Sequence, residues 1–297
     1  MDNNLRLGVV RIVEWLRVSD VIRTGWDLFN ELEPLGIVSK PPVPVTFHRV
    51  ETRAQFLDLL KTFEDEYRKT GRSPVLQIET HGDKDGVGGD EDIEWPELME
   101  ALIPLNRPTG VNLVVVLAAC EGFYGVQMLQ PDRRAAPFRG LLAPHVEVST
   151  GDMQKAFMAF YRTLFARLDG DTAVKAMNDA IDPSRETFWL ISVEDAFKTV
   201  NRSYFEEHCT PEALARRRDR LMSRVARKHR ARTGLDAGVQ LAQQWFDQAT
   251  AHLLDQRGLF ERLRREYFFI NAFPENDARF DVTFDQCWPA GMELRID

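Results

Sequence analysis

The sequence predicts an α/β fold in which a mainly parallel sheet is flanked by helices and followed by a mostly α-helical C-terminal region. Strand-like and helical segments alternate through the first two-thirds of the 297 residues, an order that is typical of a parallel sheet. Residues 111–119 are apolar except for Asn112, as expected of a strand that is buried on both faces. After about residue 201 the patterns are mostly helical.

The first elements are two strand–helix pairs. Residues 7–15 are rich in β-branched side chains and predict a strand, and residues 21–33 carry apolar side chains at helical spacing. A proline-rich break precedes a short predicted strand at residues 45–50. Thr52 is suited to cap the next helix, in which aromatic and leucine side chains again recur at helical spacing.

The middle of the chain supplies two apolar predicted strands, at residues 75–80 and 111–119. Between them, an acidic, glycine-rich stretch at residues 83–94 predicts a hairpin, and residues 97–105 predict a helix. Residues 145–149 predict a further strand.

The second half of the chain is mostly helical. An amphipathic helix is predicted at residues 153–168 and a last strand at residues 188–192. The helices predicted beyond them lie at residues 211–234, 238–252 and 260–268, with an irregular aromatic tail from Phe273. This change of character divides the chain into a domain of residues 1–202 and a helical region of residues 203–297. No low-complexity linker separates the two, so we expect them to pack together.

Composition and charge exclude several classes of protein. The 38 basic and 46 acidic side chains give a net charge of −8, which disfavours nucleic acid and anionic lipid as partners. The longest apolar run is far shorter than the ~20 residues that span a bilayer, so no membrane partner is expected. The first residues lack the pattern of a signal peptide, and three cysteines give no disulfide framework. We therefore expect a cytoplasmic protein.

Two neighbouring predicted strands end in residue types that support nucleophilic catalysis. His81 and Gly82 follow the strand at residues 75–80, and Cys120 follows the run at residues 111–119. If the strands are parallel, both ends lie at the carboxyl edge of the sheet, where open α/β sheets bind ligands. An imidazole can take the proton of a thiol and later protonate a leaving amine. The N–H groups of Gly82 and Cys120 are candidate donors to an oxyanion.

The two motifs resemble those of the caspase-like (clan CD) cysteine peptidases, which include caspases, metacaspases and bacterial CHAT-domain proteases. Residues 80–82 (Thr-His-Gly) are similar to the histidine motif of the family, and residues 118–122 (Ala-Ala-Cys-Glu-Gly) to its cysteine motif. Residues 93–98 and 148–161 also resemble the parts of the family that follow each motif. The resemblance covers about residues 5–200 and implies a protease that hydrolyses a specific protein substrate through a Cys–His dyad.

The resemblance implies a role for each motif residue. His81 would be the general base, Cys120 the nucleophile, and the amides of Gly82 and Cys120 the oxyanion hole. Ala118 stands where caspases have Gln and metacaspases have Asp, and Glu121 stands where caspases often have Arg. The two catalytic candidates are 39 residues apart, against the ~50 typical of caspases. A bacterial CHAT-type protease, of a kind that often acts in antiviral defence or cell death, therefore fits better than a vertebrate caspase.

The resemblance also implies a pocket for the P1 side chain of the substrate. Its candidate lining residues are Arg17, Arg23, Ala118, Glu121, Ser149, Thr150 and Asp152. Ala118 offers no carboxylate to a buried P1 Arg or Lys, and an unpaired buried cation is costly. Arg17 or Arg23 could instead pair with an acidic P1 side chain, whereas Asp152 and the acidic hairpin could still reach a basic one. We expect a neutral or acidic P1 residue.

Two alternatives stay open. The chain could be a catalytically silent caspase-like scaffold that recruits partner proteins, and a regulatory partner could bind the helical C-terminal region. The basic residues at 216–232 could bind nucleic acid or another anion. More simply, Leu214, Leu221 and Val225 make this helix amphipathic, so that its arginines form its solvated face, which could dock on the acidic α/β domain. The acidic hairpin lacks the ligand spacing of a calcium loop, and we expect no metal and no cofactor.

Overall fold

An eight-stranded sheet forms the centre of the protein, which we describe from a computed structural model covering residues 7–127 and 135–295. The strands are β1 Val9–Trp15, β2 Val45–Arg49, β3 Pro74–Gly82, β4 Gly86–Gly88, β5 Asp92–Glu94, β6 Val114–Ala118, β7 Gly140–Pro144 and β8 Phe188–Ser192. The helices are α1 Thr24–Val38, α2 Arg53–Thr70, α3 Trp95–Asn106, α4 Tyr124–Gln127, α5 Thr150–Arg167, α6 Gly170–Asp179, α7 Val193–His208, α8 Pro211–Thr233, α9 Val239–Leu254, α10 Gln256–Tyr267, α11 Asn276–Arg279 and α12 Phe284–Cys287.

Most of the strands run parallel, in agreement with the predicted α/β class. Six of them follow the order β2-β1-β3-β6-β7-β8 across the sheet. The first five of these are parallel to one another, and β8 is antiparallel to β7. β4 and β5 form a hairpin that continues from the end of β3. The carboxyl ends of β1, β3, β6 and β7 therefore lie at one edge of the sheet.

Helices cover both faces of the sheet, because the central strands are apolar on both sides. All five residues of β6 are buried, as the continuous apolar run predicts. On one face, Leu117 packs with residues of α2 and α3, such as Phe56 and Leu98. On the other face, Val116 packs with residues of α1 and α5, such as Leu32.

The helical C-terminal region shares an aromatic cluster with the sheet domain. Phe197 of α7 contacts the rings of Phe260 and Phe268, and the same cluster includes Val111, which precedes β6. The boundary placed at residue 202 lies within α7. In the described ranges, no helix is long and apolar enough to cross a membrane.

Several elements differ from the prediction. The prediction of a strand at residues 145–149 is wrong. The strand lies earlier, as β7 at Gly140–Pro144, and the residues after it lead to α5. A strand that pairs with the fully buried β6 must be apolar on both faces. The residues of β7 meet this requirement, whereas residues 145–149 alternate between apolar and polar side chains. Helices α4, α6 and α7 were not predicted, and the aromatic tail contains two short helices, α11 and α12.

Candidate active site

The sheet register brings the two sequence motifs together. The parallel pairing of β3 with β6 ends with Glu79 opposite Ala118, so His81 and Cys120 each lie two residues further on. Neighbouring strands are about 4.8 Å apart. A β-carbon added to Gly82 would lie only 2.8 Å from the carbonyl oxygen of Cys120. The two strand ends are therefore in direct backbone contact, and a side chain at position 82 would separate them.

Cys120 lies in a tight turn directly after β6. The N–H of Gly122 donates to the carbonyl oxygen of Ala119 at 3.1 Å, which closes the turn around Cys120 and Glu121. Glu121 has a φ of 54°, a left-handed conformation that costs roughly 1–2 kcal/mol for a residue with a β-carbon. The turn leaves Cys120 partly exposed at the end of a buried strand, where a ligand can reach it.

The imidazole of His81 is held by a carboxylate that the sequence did not indicate. His81 Nε2 lies 2.7 Å from Asp20 Oδ2, and Asp20 belongs to the loop between β1 and α1. The same oxygen accepts the backbone N–H of Arg17 at 2.8 Å. The hydrogen bond with His81 is the main cause that lowers the pKa of Asp20 below its usual value. Because Nε2 is engaged, Nδ1 is the ring nitrogen left to act on a thiol.

The acidic hairpin holds this loop and the neighbouring helix in place. Asp90 Oδ2 accepts the backbone N–H of Val18 at 3.0 Å, which connects the hairpin to the loop that carries Asp20. Glu91 accepts the backbone N–H of Arg53 at the start of α2 at 2.8 Å. These acidic side chains therefore fix the backbone around the candidate site as well as giving the hairpin its charge.

The backbone N–H of Gly82 faces Cys120. Asp83 donates its N–H to the carbonyl oxygen of Gly86 at 3.0 Å, and Gly82 lies opposite Val87 in the same antiparallel pair. Hydrogen-bonded and non-bonded positions alternate along such a pair, so the N–H of Gly82 points away from β4. The segment after β4 packs on the end of β1, which leaves the N–H of Gly82 on the side of Cys120. This orientation suits an oxyanion donor.

A buried carboxylate lies two register rows beneath the site. Glu79 is only 2% exposed and is opposite Ala118 in the sheet. Its Oε1 accepts a hydrogen bond from Gln77 Nε2 at 2.7 Å, and Gln77 Oε1 accepts the hydroxyl of Tyr161 at 2.7 Å. Burial raises the pKa of Glu79 to about 7, with a further contribution from Glu14. Glu79 therefore titrates near neutral pH.

Glu14 is the second carboxylate of this row and lies opposite Glu79. Its Oε2 accepts the backbone N–H groups of Gly25 at 3.1 Å and Trp26 at 3.3 Å, which satisfies free donors at the N-terminus of α1. Arg23 Nη1 lies 3.7 Å from Glu14 Oε1. The guanidinium of Arg23, a candidate for the P1 pocket, is thus directed at this buried row.

The other candidate P1 residues begin helix α5. The Oγ of Ser149 accepts the N–H of Asp152 at 3.2 Å and donates to Asp152 Oδ2 at 2.9 Å. Thr150 is exposed beside them. These residues follow β7 at the carboxyl edge, but no hydrogen bond joins them to His81 or Cys120 in the part of the chain that the structure describes. Their contacts are those of a helix cap.

A comparison with protein-family models and a search among curated proteins both found no match. Within the described residues, no group of three or more His, Cys, Asp and Glu side chains is arranged to hold a metal ion. The resemblance to caspase-like peptidases therefore stays an expectation from the sequence of residues 80–82 and 118–122.

Proposed function

We propose that the protein is a caspase-like cysteine endopeptidase that hydrolyses a protein substrate through Cys120 and His81. The observation that carries this proposal is the direct contact of the two strand ends, with Asp20 hydrogen-bonded to the imidazole. Each residue alone has an ordinary structural explanation. Together they supply a nucleophile, a base beside it and an acid that orients the base.

Acylation follows from this arrangement. The Cys120 thiol gives its proton to His81 Nδ1, and Sγ attacks the carbonyl carbon of the scissile peptide. The resulting oxyanion accepts hydrogen bonds from the N–H groups of Gly82 and Cys120, each worth about 3 kcal/mol in the transition state. The tetrahedral intermediate then collapses: the C–N bond breaks, His81 protonates the amine, and a thioester with Cys120 remains.

Deacylation uses the same groups. His81 takes a proton from water, and the oxygen attacks the thioester carbon. The C–S bond breaks, the acid leaves, and the proton on His81 returns to the sulfur of Cys120. Asp20 keeps the ring in position and compensates the positive charge that the imidazole carries during both steps.

The biological setting is part of the same proposal. The three free cysteines suit a reducing compartment such as the cytoplasm. The resemblance supports a bacterial protease of narrow specificity in antiviral defence or cell death, with a regulatory partner on the C-terminal helices.

We propose that the P1 residue of the substrate is neutral or acidic. Ala118 is buried and apolar, and Arg17 is exposed in the loop that holds Asp20. Cleavage of a fluorogenic peptide library is expected to favour such P1 residues. Preferred cleavage after Arg or Lys, weakened by Asp152→Asn, would overturn this expectation.

Alkylation of the cysteines tests the proposed dyad without a known substrate. Burial raises the pKa of Cys209 and of Cys287 to about 11, so both are expected to react slowly with iodoacetamide. Burial alone would make Cys209 and Cys287 react more slowly than Cys120. The informative comparison is therefore the labelling rate of Cys120 in the wild type and in His81→Gln. A neighbouring imidazolium favours the thiolate, and we expect labelling of Cys120 at pH 7, followed by mass spectrometry, to slow about tenfold in the variant.

The control is His252→Gln, which changes an exposed histidine of α9. It should leave the labelling rate of Cys120 unchanged. Equal rates in the wild type and His81→Gln would favour the silent scaffold over the protease.

A further inference from the structure

Helices α8 and α9 form a hairpin whose buried residues, in the part of the chain that the structure describes, lie at its base. The buried residues of α8 are Ala213 and Leu214, in its first turn, and the buried residue of α9 is Leu253, near its end. The rest of α8 continues for 19 residues after Leu214, or about 29 Å at 1.5 Å per residue. Most of the hairpin surface is therefore available to a partner.

One face of α8 packs on α9. The guanidinium of Arg218 lies 4.5 Å from the ring centre of Phe246, and the ring of His229 meets Trp245 edge-on at 5.3 Å. Leu221 lies on the same side of the helix at a rotation of about 100° per residue. These contacts fix which face of α8 is turned to solvent.

The opposite face carries a row of arginines, which we call the basic stripe: Arg216, Arg220, Arg224 and Arg227. Their spacing of four, four and three residues places them along one side of the helix over about 17 Å. All four are exposed. Among the residues that the structure describes, no carboxylate lies within ion-pair distance of any of them, whereas Arg218 and Arg230 pair with Asp219 and Asp236.

Charge is segregated between this hairpin and the rest of the chain. Residues 211–254 contain nine basic and four acidic side chains, although the whole chain has a net charge of −8. The arginines of the basic stripe do not dock on the acidic α/β domain, because they face solvent. Because the local field rather than the net charge governs how a charged partner approaches, the overall acidity does not prevent an anion from binding here.

We propose that the basic stripe binds the phosphate backbone of a nucleic-acid duplex. Guanidinium groups match the geometry of phosphate oxygens, and their row is long enough to contact several phosphates, which follow each other every ~3.4 Å of helix rise along one strand. A protein partner would require aromatic or aliphatic anchors, and single strands require aromatic stacking. On this face, Ser223 between the arginines and Ala231 one turn beyond Arg227 are both small, which favours a duplex.

Fluorescence anisotropy with labelled duplexes of about 20 base pairs tests this surface. We expect the full-length protein to bind duplex DNA or RNA of unrelated sequences, with an affinity that falls as salt rises. Replacing all four stripe arginines with glutamine should weaken binding at least tenfold near 0.1 M salt. The slope of log affinity against log salt should fall by about three, because up to four phosphate contacts are lost.

A control variant with the same change in net charge distinguishes the effect of the basic stripe on duplex binding from the effect of the overall charge. It replaces four exposed basic residues elsewhere, Lys61→Gln, Lys69→Gln, Arg72→Gln and Arg162→Gln, and should bind within twofold of the wild type. Thermal unfolding followed by circular dichroism checks that both variants fold. Lack of duplex binding by the wild type, equal weakening in the control, or tighter binding of single strands would each overturn the proposal. Stripe-dependent binding of polyglutamate but not of duplex would point to an acidic protein instead.

Discussion

Cys120→Ala is expected to abolish peptide-bond hydrolysis, and His81→Ala to lower it by about a thousandfold or more. The first change removes the atom that forms the acyl bond, and the second removes the base that activates it. Both side chains are partly exposed at the ends of core strands, so neither change creates a cavity and both variants should unfold at the temperature of the wild type. Hydrolysis of casein and of a fluorogenic peptide library by the purified proteins measures the effect. Full activity in either variant would exclude the proposed dyad.

Asp20→Asn is expected to have a smaller effect, about 10- to 100-fold on kcat with little change in KM. The amide oxygen of asparagine can still accept the N–H of Arg17, so the loop should keep its conformation, but the charge that compensates the imidazolium is lost. The alkaline limb of the pH–rate profile should therefore move to lower pH. Asp27→Asn, which removes an exposed carboxylate in the first turn of α1, is the matched control. If Asp20 only supported the loop, Asp20→Asn would leave kcat and the pH–rate profile unchanged.

The positions of His81 and Cys120 could be predicted because strand ends are local features. The apolar runs that end in these residues are continuous, and parallel pairing then brings their carboxyl ends to one edge whatever the loops do. Asp20 could not be predicted in this way. It reaches His81 across 61 residues through a loop whose conformation depends on Asp90 and the hairpin, and no spacing in the sequence records such a contact.

The sequence does contain a sign of the two buried carboxylates. Glu14 and Glu79 each interrupt a run of apolar strand residues, and a carboxylate at a buried position requires a structural or functional reason. Their pairing across the sheet follows from a register that the sequence does not specify. The orientation of α8 was missed for a similar reason: its apolar stripe predicts an amphipathic helix, but not that α9 rather than the sheet domain covers that stripe.

Glu79→Gln is expected to stabilise the protein at pH 8 by about 3 kcal/mol. The folded chain holds the proton of Glu79 up to about pH 7, whereas a free glutamate loses it near 4.5. Between these values the folded state binds more protons than the unfolded state, so the contribution of Glu79 to stability falls as pH rises. Above about pH 7 the whole cost of burying the ion remains, at 1.36 kcal/mol per pKa unit. Glutamine has the shape of the protonated acid, can still accept from Gln77, and carries no such cost.

The dependence of the free energy of unfolding on pH distinguishes the cost of burying ionised Glu79 from a general effect of charge. Urea unfolding of the wild type and of Glu79→Gln should give similar stabilities below about pH 5, where Glu79 is protonated in the folded state, and should diverge up to about pH 7.5. Glu31→Gln removes an exposed carboxylate of α1 and should shift stability by less than about 0.5 kcal/mol at any pH in this range. Parallel profiles for the wild type and Glu79→Gln would mean that Glu79 is not held protonated. In that case Glu79 would be ionised in the fold at neutral pH, and the side chain opposite Ala118 would carry a charge able to attract a basic P1 side chain.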